Sequence, residues 1–425
     1  MYIKSLIVRD NTLQYKDPLL NVHSKEIPRC GVSLFWSQWD KNFWNWESLL
    51  ALKEKWKASF VRLPLGHDKT QNEGYMVDFQ GTLDKAFSTI DSALKVGLYV
   101  IVDCHDHYAV QNSHMSTKLL YEISKKYKNH PGILYEIVNE PLDCSWKEIK
   151  EHCEFAIQLI RSKAPDAICI VGTPEWCSNL MDPLHDPLDI PNIMYSYHFY
   201  SATHKSKARK DLEIALEMDL PIFVTECGAS EHTGSGTLDF EEFDKWLNLL
   251  ESKYRVPWCI WSLSNKEESA SLLRKDKKGV GDPQDWTDYG LFAQSRISTS
   301  VCTPSLWSPF RKGIPYPFKN REEREKKTQE LMKRSVPVPV SLLKVMVQSI
   351  MADPREEEIY LFYMWLSDNW GSINREARES LVKAFRTRVR EVLEDPSKDN
   401  SKAKWAMSRL ADTITLWEKG NFAGG

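Results

Sequence analysis

Short apolar runs recur along the first part of the chain, separated by segments with helical periodicity. The runs predict eight strands, at residues 29–35, 60–65, 98–104, 133–138, 167–172, 193–199, 221–225 and 256–262. Helical patterns between them include residues 83–96, 118–128, 146–163, 208–217 and 241–254. Strands that alternate with helices indicate a parallel sheet, and this number of strands fits a (β/α)8 TIM barrel of the α/β class. A doubly wound sheet is the alternative, but no GxGxxG turn follows the first strand.

The pattern changes after residue 302. Residues 303–335 are rich in proline and charge, which is typical of a linker, and residues 336–425 show helical periodicity with mixed charge. Residues 1–302 carry a net charge of -8 and residues 303–425 one of +5. We therefore predict a barrel domain, a linker and a small C-terminal α-helical domain. A protein-binding module and a fusion of two unrelated genes are both open interpretations of that last domain.

Composition removes several classes of protein. Hydrophobic residues make up 42% of the 425 residues and charged residues 27%, which excludes a disordered chain, and no apolar run is long enough for a membrane span. The net charge of -3 predicts no bulk attraction to nucleic acid or to an anionic membrane. The amino terminus lacks the apolar core of a secretory signal, so the protein is expected to be cytoplasmic unless an upstream segment is missing.

Nine cysteines occur without CxxC spacing, which predicts neither a zinc site nor a disulfide framework. Cys144 and Cys153 are the one pair considered for a bridge, but free thiols are the favoured interpretation. His105 and His107 form an HxH pair that resembles a metal site. The predicted strand at 167–172 supplies no further ligand, so we predict no metal and no cofactor.

Polar residues fall where a barrel enzyme needs them. In a (β/α)8 barrel the active site lies at the carboxyl ends of the strands, and these positions converge on one bowl. The residues at or near those ends are Arg62, His105, Asn139, Glu140, His198, Tyr200, Glu226 and Trp261. Four further tryptophans, at 36, 39, 44 and 46, crowd the loop after the first strand, where they either pack the loop or stack on sugar faces.

Two of these residues are glutamates that end apolar strands. A carboxylate in that position is costly unless it is paired or functional. Two carboxylates that face each other across a cleft are the equipment of a glycosidase, in which one donates a proton and the other attacks the anomeric carbon. We interpret Glu140 and Glu226 as this pair. Arg62 would keep its neighbour ionised, Tyr200 could orient the same carboxylate, and Asn139 could bind the sugar 2-hydroxyl.

The chain resembles glycoside hydrolase family 5, and most of all its bacterial-type endoglucanases. The matching stretches run in family order over about residues 1–302: GVSLFWS from Gly31, VRLPLG from Val61, VDCHDH from Val102, YEIVNEP from Tyr135, VGTPEW from Val171, YSYHFY from Tyr195, FVTECG from Phe223 and WSLSNK from Trp261. Residues 303–425 carry no such resemblance.

The resemblance implies Glu140 as acid/base and Glu226 as nucleophile of a retaining β-1,4-glucanase. It implies a supporting shell of Arg62, His105, Asn139, His198, Tyr200 and Trp261, and sugar contacts at Trp176, Lys266 and Glu268 beside Trp36 and Trp39. The family usually has Trp where this chain has Cys104 and Cys227. The resemblance also implies an extracellular enzyme on β-glucan. A β-mannanase is the alternative within the class, and a non-catalytic glycan binder or scaffold is the alternative outside it.

Two expectations follow for a retaining enzyme, one for a distance and one for pKa values. The carboxyl groups of Glu140 and Glu226 should lie about 5–5.5 Å apart. Glu140 should have a raised pKa, and Glu226 a lowered one because of Arg62 or Tyr200.

Overall fold

The computed structural model describes residue 3 and residues 5–9, 11–15, 29–40, 42–67 and 74–300. The predicted linker at 303–335 and the predicted helical domain at 336–425 lie outside these residues.

The described strands form a closed barrel and a small hairpin. In chain order they are β1 (Leu6–Arg9), β2 (Thr12–Tyr15), β3 (Cys30–Leu34), β4 (Phe60–Gly66), β5 (Tyr99–His105), β6 (Ile133–Glu136), β7 (Ile168–Val171), β8 (Ile193–Tyr200), β9 (Ile222–Gly228) and β10 (Trp258–Leu263). Strands β3 to β10 pair in parallel in sequence order, and β10 closes the barrel against β3. The predicted (β/α)8 barrel is therefore confirmed, and the doubly wound sheet is excluded.

Helices surround the barrel. They are α1 (Trp46–Glu54), α2 (Phe79–Val96), α3 (Ser113–Tyr127), α4 (Trp146–Arg161), α5 (Pro174–Cys177), α6 (Met181–His185), α7 (Ser206–Glu217), α8 (Phe240–Leu247) and α9 (Asp288–Thr299). The predicted helix at 241–254 is α8 followed by a π-helical turn, Asn248–Tyr254. A capping box of Ser145 and Glu148 begins α4, and Gly97, at φ 85°, ends α2 in a left-handed conformation that glycine adopts without strain.

The amino-terminal end of the barrel interior is apolar. The hairpin β1–β2, which the sequence analysis did not predict, packs Leu6 and Leu13 against it. We call the barrel side chains in this cluster the floor: Phe60, Tyr99, Ile101, Leu134, Ile168, Ile170, Met194, Phe223 and Cys259. Because successive inward-facing side chains are two residues apart on a strand, the next positions along the same strands form a second level.

That second level is polar and fully buried. It consists of Arg62, Asp103, Glu136, Ser196 and Thr225, which we call the charged layer. Its members follow Phe60, Ile101, Leu134, Met194 and Phe223 of the floor by two residues. The fold therefore places a set of buried ionisable groups directly under the carboxyl-terminal rim of the barrel.

Candidate active site

Glu226, near the end of β9, is held by two donors from different strands. Arg62 Nη1 on β4 donates to its Oε2 at 2.9 Å, and the Tyr200 hydroxyl on β8 donates to its Oε1 at 2.5 Å. Both donors are almost entirely buried, as is the carboxylate. A carboxylate that accepts two such hydrogen bonds is fixed in one orientation.

Gly228 makes room for one of these donors. A Cβ at this position would lie 2.6 Å from Cδ1 of the Tyr200 ring, which is closer than van der Waals contact permits. Glycine therefore lets the Tyr200 ring lie against β9, where its hydroxyl reaches Glu226.

Glu140 lies on the facing side, four residues beyond the end of β6. The predicted strand at 133–138 is shorter in the structure and ends at Glu136, so Asn139 and Glu140 follow it in an irregular segment. His198 Nδ1 on β8 lies 2.8 Å from Glu140 Oε1, and His107 Nδ1 lies 3.6 Å from Glu140 Oε2. One oxygen of Glu140, one of Glu226 and one ring nitrogen of His198 all lie within 4.8 Å of one another.

The expectation of a raised pKa at Glu140 is wrong for this structure. Burial raises the pKa of Glu140, but the hydrogen bond and the charge of His198, with the charges of His107 and Arg62, outweigh burial and lower it. Burial lowers the pKa of His198, but the charges of Glu226 and Glu140 and the carboxylate of Glu136 raise it to about 9. Both shifts favour the imidazole over Glu140 as the holder of the proton that the two groups share.

Arg62 organises the charged layer. Its Nε donates to Glu136 Oε2 at 2.7 Å, and its Nη2 donates to Asn139 Oδ1 at 2.6 Å. Asp103 Oδ2 lies 2.9 Å from the same Nη2. One buried guanidinium thus faces three carboxyl groups, counting that of Glu226.

Two of the carboxyl groups around Arg62, those of Glu136 and Asp103, have pKa values shifted in opposite directions. Burial raises the pKa of Glu136, but the charge and hydrogen bonds of Arg62 lower it to about 2. Burial raises the pKa of Asp103 well above its ordinary value, and the charges of Glu136 and Glu226 add to that rise. The pKa of Asp103 is thus shifted in the opposite direction from that of Glu136, although Arg62 acts to lower both. Asp103 Oδ2 lies 2.6 Å from Nδ1 of His105, whose pKa burial lowers well below its usual range.

Aromatic rings form the wall beside the two glutamates. Trp261 on β10 stacks on His105 with an interplanar angle of 7° and ring centroids 5.4 Å apart. Trp36 meets His105 edge-on at 4.1 Å and packs against Trp39 at 4.8 Å, and 41% of Trp39 is exposed. The Trp44 indole N–H donates to Phe35 O at 3.0 Å, whereas Trp46 begins α1 and is 39% exposed.

The remaining residues with implied sugar contacts lie outside the hydrogen-bonded cluster. Trp176 lies on α5, a short turn in which Glu175, Trp176 and Cys177 all have positive φ, and 58% of Trp176 is exposed. Lys266 and Glu268 follow β10 and form an ion pair with each other at 2.6 Å.

A family model described as cellulase (glycosyl hydrolase family 5) matches residues 20–267 of this chain, which is more than half of its length. The chain belongs to glycosyl hydrolase family 5. It is 35% identical to endoglucanase Z of Dickeya dadantii over 254 residues, 59% of each chain. It is 32% identical to endoglucanase A of Butyrivibrio fibrisolvens over 290 residues, 66% of this chain and 67% of that relative. The chain thus spans about 60% of the first of these relatives and two thirds of the second.

Solved structures give the same result for the fold. The catalytic domain of Thermobifida fusca endoglucanase Cel5A superposes with a TM-score of 0.62 at 30% identity, covering 69% of this chain and 97% of that domain. A variant of the same domain in complex with cellotetraose matches with the same TM-score at 29% identity. The resemblance inferred from the sequence motifs is confirmed.

The two cysteines at usual tryptophan positions of family 5 are both buried. The Cys104 thiol lies 3.8 Å from the Tyr75 hydroxyl, which donates to Asp106, and the Cys227 thiol donates to Cys259 O at 3.2 Å. Each therefore fits the interior with a polar partner. Cys144 and Cys153 are free thiols, as the sequence favoured.

Sequence reasoning missed the charged layer apart from Arg62, which it assigned to the shell. Glu136 lies within the YEIVNEP stretch and Thr225 immediately precedes Glu226, but neither residue was predicted to be functional. The available signal was their spacing: a polar residue two positions after a buried apolar one, on several neighbouring strands, predicts a polar level inside the barrel.

Among the described residues, the groups close enough to hold a metal ion together are Glu140, His198 and Glu226. Both ring nitrogens of His198 already have partners, since Nε2 lies 2.9 Å from Thr225 Oγ1 and Nδ1 meets Glu140. Hydrogen bonds of His198 to protein groups thus explain why its ring lies close to these carboxylates. Within the part of the chain that the structure describes, no helix has the length and apolarity needed to cross a membrane.

Proposed function

We propose that this chain is a retaining endo-β-1,4-glucanase that acts by double displacement, with Glu226 as nucleophile and Glu140 as acid/base. The observation that carries the proposal is the close approach of two carboxylates in unlike settings, with an oxygen of each within 4.8 Å. Retaining glycosidases hold their carboxyl groups about 5–5.5 Å apart, whereas inverting enzymes leave about 6.5–9.5 Å for a water molecule.

The setting of Glu226 supports its role as nucleophile. Arg62 and Tyr200 each donate a hydrogen bond to one of its two oxygens and hold the carboxylate in one orientation for attack. In the first step a Glu226 oxygen attacks the anomeric carbon as the glycosidic bond breaks, which forms a glycosyl ester. The donors that held the free carboxylate then lie against the ester and orient it for the second step.

The setting of Glu140 supports its role as acid/base. Together with His198 it shares one proton, which Glu140 delivers to the leaving oxygen in the first step. In the second step the Glu140 carboxylate takes a proton from the water that cleaves the ester, which restores the starting state. These steps use side chains alone, so we expect full activity in the presence of a chelator.

The aromatic rings near the site support a β-glycan substrate, and the names of the relatives favour glucan within that class. Trp36, Trp39 and Trp261 present aromatic faces and edges near the glutamates, and such rings stack on the apolar faces of pyranose sugars. Because Asn139 turns its amide oxygen to Arg62, its Nδ2 is the group available to a sugar 2-hydroxyl. The two relatives named above are endoglucanases by name, and one homologous domain has been solved in complex with cellotetraose.

The test is an assay of reducing-sugar release on soluble cellulose, mannan and mixed-linkage glucan, with the product anomer read by proton NMR. We expect the two glucans to be cleaved, with the β-anomer formed first. Activity on mannan alone would favour a β-mannanase, and initial release of the α-anomer would contradict retention. A wild-type protein that binds cello-oligosaccharides without hydrolysing any of these polymers would be a glycan-binding protein instead. Extracellular action, and a protein partner for residues 336–425, stay predictions.

A further inference from the structure

A third glutamate lies between the two at the cleft and has no part in the steps above. Glu136 ends β6, is fully buried and is four residues before Glu140. Its Oε2 accepts from Arg62 Nε at 2.7 Å, while its Oε1 accepts from the Thr225 hydroxyl at 2.7 Å. Both oxygens of a carboxylate in the barrel interior are thus committed to partners on other strands.

These partners connect Glu136 to both cleft glutamates. On one side Arg62 Nη1 continues to Glu226. On the other side Thr225 Oγ1 lies 2.9 Å from His198 Nε2, and His198 Nδ1 lies 2.8 Å from Glu140. His198 Nε2 is 3.9 Å from Glu136 Oε1, which is too long for a direct hydrogen bond, so Thr225 bridges the two.

Proton counting along this path fixes the form of the imidazole. A hydroxyl has one hydrogen, and Thr225 gives it to Glu136, which as an ionised carboxylate can only accept. The Thr225 oxygen can then only accept from its other neighbours, Ser196 and His198. His198 must therefore carry a hydrogen on Nε2, and its Nδ1 is the atom that exchanges a proton with Glu140.

We propose that Glu136 is a positioning residue that acts through Thr225: it holds His198 in the Nε2–H form, so that Nδ1 and Glu140 share the single proton used in glycoside cleavage. The proposal rests on the proposed function of the same site. With the opposite tautomer, a neutral His198 would donate from Nδ1 to Glu140 and keep that carboxylate ionised, which leaves no proton for the leaving group.

Other charged groups near the Glu140–His198 pair also affect the shared proton. They face the Glu140–His198 pair from β4, β5, β9 and the segments after β5 and β8, and they are Arg62, Asp103, His105, His107, His204 and Glu226. Only Thr225 contacts His198 Nε2 among the described hydrogen bonds. The tautomer therefore depends on Thr225 and Glu136, whereas the surrounding charges act on the affinity of the pair for its proton.

The test compares Thr225→Val, which removes the bridging hydroxyl at nearly constant volume, with Thr225→Ser, which keeps it. Two substrates differ in whether their leaving group needs a proton. Cellotetraose has an alcohol leaving group that must be protonated, whereas 4-nitrophenyl β-cellobioside has one that departs unprotonated. For Thr225→Val we expect kcat/KM on cellotetraose to fall about 100-fold and on the aryl glycoside less than about 5-fold. The alkaline limb of the pH profile should move about one unit lower, because the protonated pair loses its Nε2 acceptor.

Thr225→Ser should restore the profile and the leaving-group dependence of the wild type. Equal losses on both substrates with an unmoved alkaline limb would overturn the proposal, because a purely structural role predicts that result. A second measurement covers a Thr225→Val protein that fails to fold. In the ¹⁵N spectrum of histidine-labelled wild-type protein, the His198 signals, identified by their loss in His198→Asn, should show Nε2 protonated from about pH 6 to 10.

An unprotonated Nε2 in that range would overturn the proposal. A failure of the proposed function would give a different result. A wild-type protein that is inactive on both glycosides would contradict the glycosidase activity, but the NMR spectrum would still report the tautomer of His198. The two conclusions are therefore separable.

Discussion

The floor and the charged layer lie two residues apart on the same strands, but burial affects their stability in opposite ways. The floor is apolar and is covered by Leu6 and Leu13 of the hairpin. The charged layer is equally buried, but Arg62 makes ion pairs with Asp103, Glu136 and Glu226. Burial stabilises the floor by about 1.5–3 kcal/mol for each large side chain. Burial of the charged layer costs free energy that only complete pairing offsets.

The difference shows how a barrel can separate stability from chemistry. A floor side chain can be exchanged for another of similar volume at small cost, because its contribution is area and packing. A side chain of the charged layer cannot be exchanged in this way, because each group determines the protonation of the next. Changes in the floor should therefore appear in stability, and changes at or above the charged layer in rate and pH profile.

The largest expected effect is at Glu226. Glu226→Gln keeps the shape but removes the ionised oxygen that attacks the anomeric carbon. We expect kcat/KM to fall on the order of 10⁴-fold or more on every substrate. The fold should persist, because the glutamine oxygen can still accept from Arg62 while its Nε2 donates to the Tyr200 hydroxyl oxygen. Steady-state kinetics with a melting curve checks both expectations, and residual activity above one per cent on any glycoside would contradict the assignment.

Glu140→Gln should have a smaller effect that depends on the substrate. Loss of a general acid costs about 10²–10⁴-fold where the leaving group needs a proton. On 4-nitrophenyl β-cellobioside the first step should be spared and the second slowed, so a burst of nitrophenol is expected in stopped-flow traces. If this variant is as inactive as Glu226→Gln on the aryl glycoside, the assignment of the two roles is wrong.

The floor should respond in the opposite way. Phe60 is fully buried and packs on Tyr99 at 5.6 Å and on Phe223 at 5.3 Å between ring centroids. Phe60→Ala should lower the free energy of unfolding by about 3–5 kcal/mol. Its kcat at a temperature where the variant is folded should stay within a few-fold of the wild type. Phe60→Leu, as the matched control, should recover most of the stability. A loss of kcat without a loss of stability would contradict the expectation that floor residues affect stability rather than rate.

The barrel and its ordering could be predicted because eight apolar runs alternate with helical patterns, and because polar residues stand at their ends. Glu140 and Glu226 followed from the same rule. The protonation states could not be predicted in this way. Whether Glu140 or His198 holds the proton depends on Thr225 and Glu136, which lie on β9 and β6, and only the closed barrel brings them together. The hairpin β1–β2 was missed because its four-residue strands are too short for a periodic signal.

Glu136 of the charged layer and His198 above it should also make stability depend on pH. The pKa of Glu136 is about 2 in the fold against an ordinary 4.5, so its contribution is present above 4.5 and is lost as the pH falls towards 2. The pKa of His198 is about 9 against 6.5, so its contribution is present below 6.5 and is lost as the pH rises towards 9.

Urea denaturation at pH intervals measures both losses. Phe60→Leu should follow the wild-type curve with a constant offset, because the floor has no titrating group there. In Thr225→Val the decline should still begin near pH 6.5, the unfolded-state value, but it should be smaller and end at a lower pH, since the protonated imidazole has lost its acceptor. A wild-type curve that stays flat between pH 6.5 and 9 would contradict a charged His198.

The smallest effect is expected from removing residues 303–425. The floor, the charged layer and every proposed cleft residue lie within residues 29–300. The proline-rich sequence after residue 302 and the change in net charge are typical of a boundary between domains with separate cores. Residues 1–302 alone should therefore melt within a few degrees of the full chain and should hydrolyse soluble glucan at a similar rate. Differential scanning calorimetry and the reducing-sugar assay on both proteins test this. If the shortened protein does not fold, the two levels of the barrel interior are insufficient for its stability, and the predicted boundary at 302 is wrong.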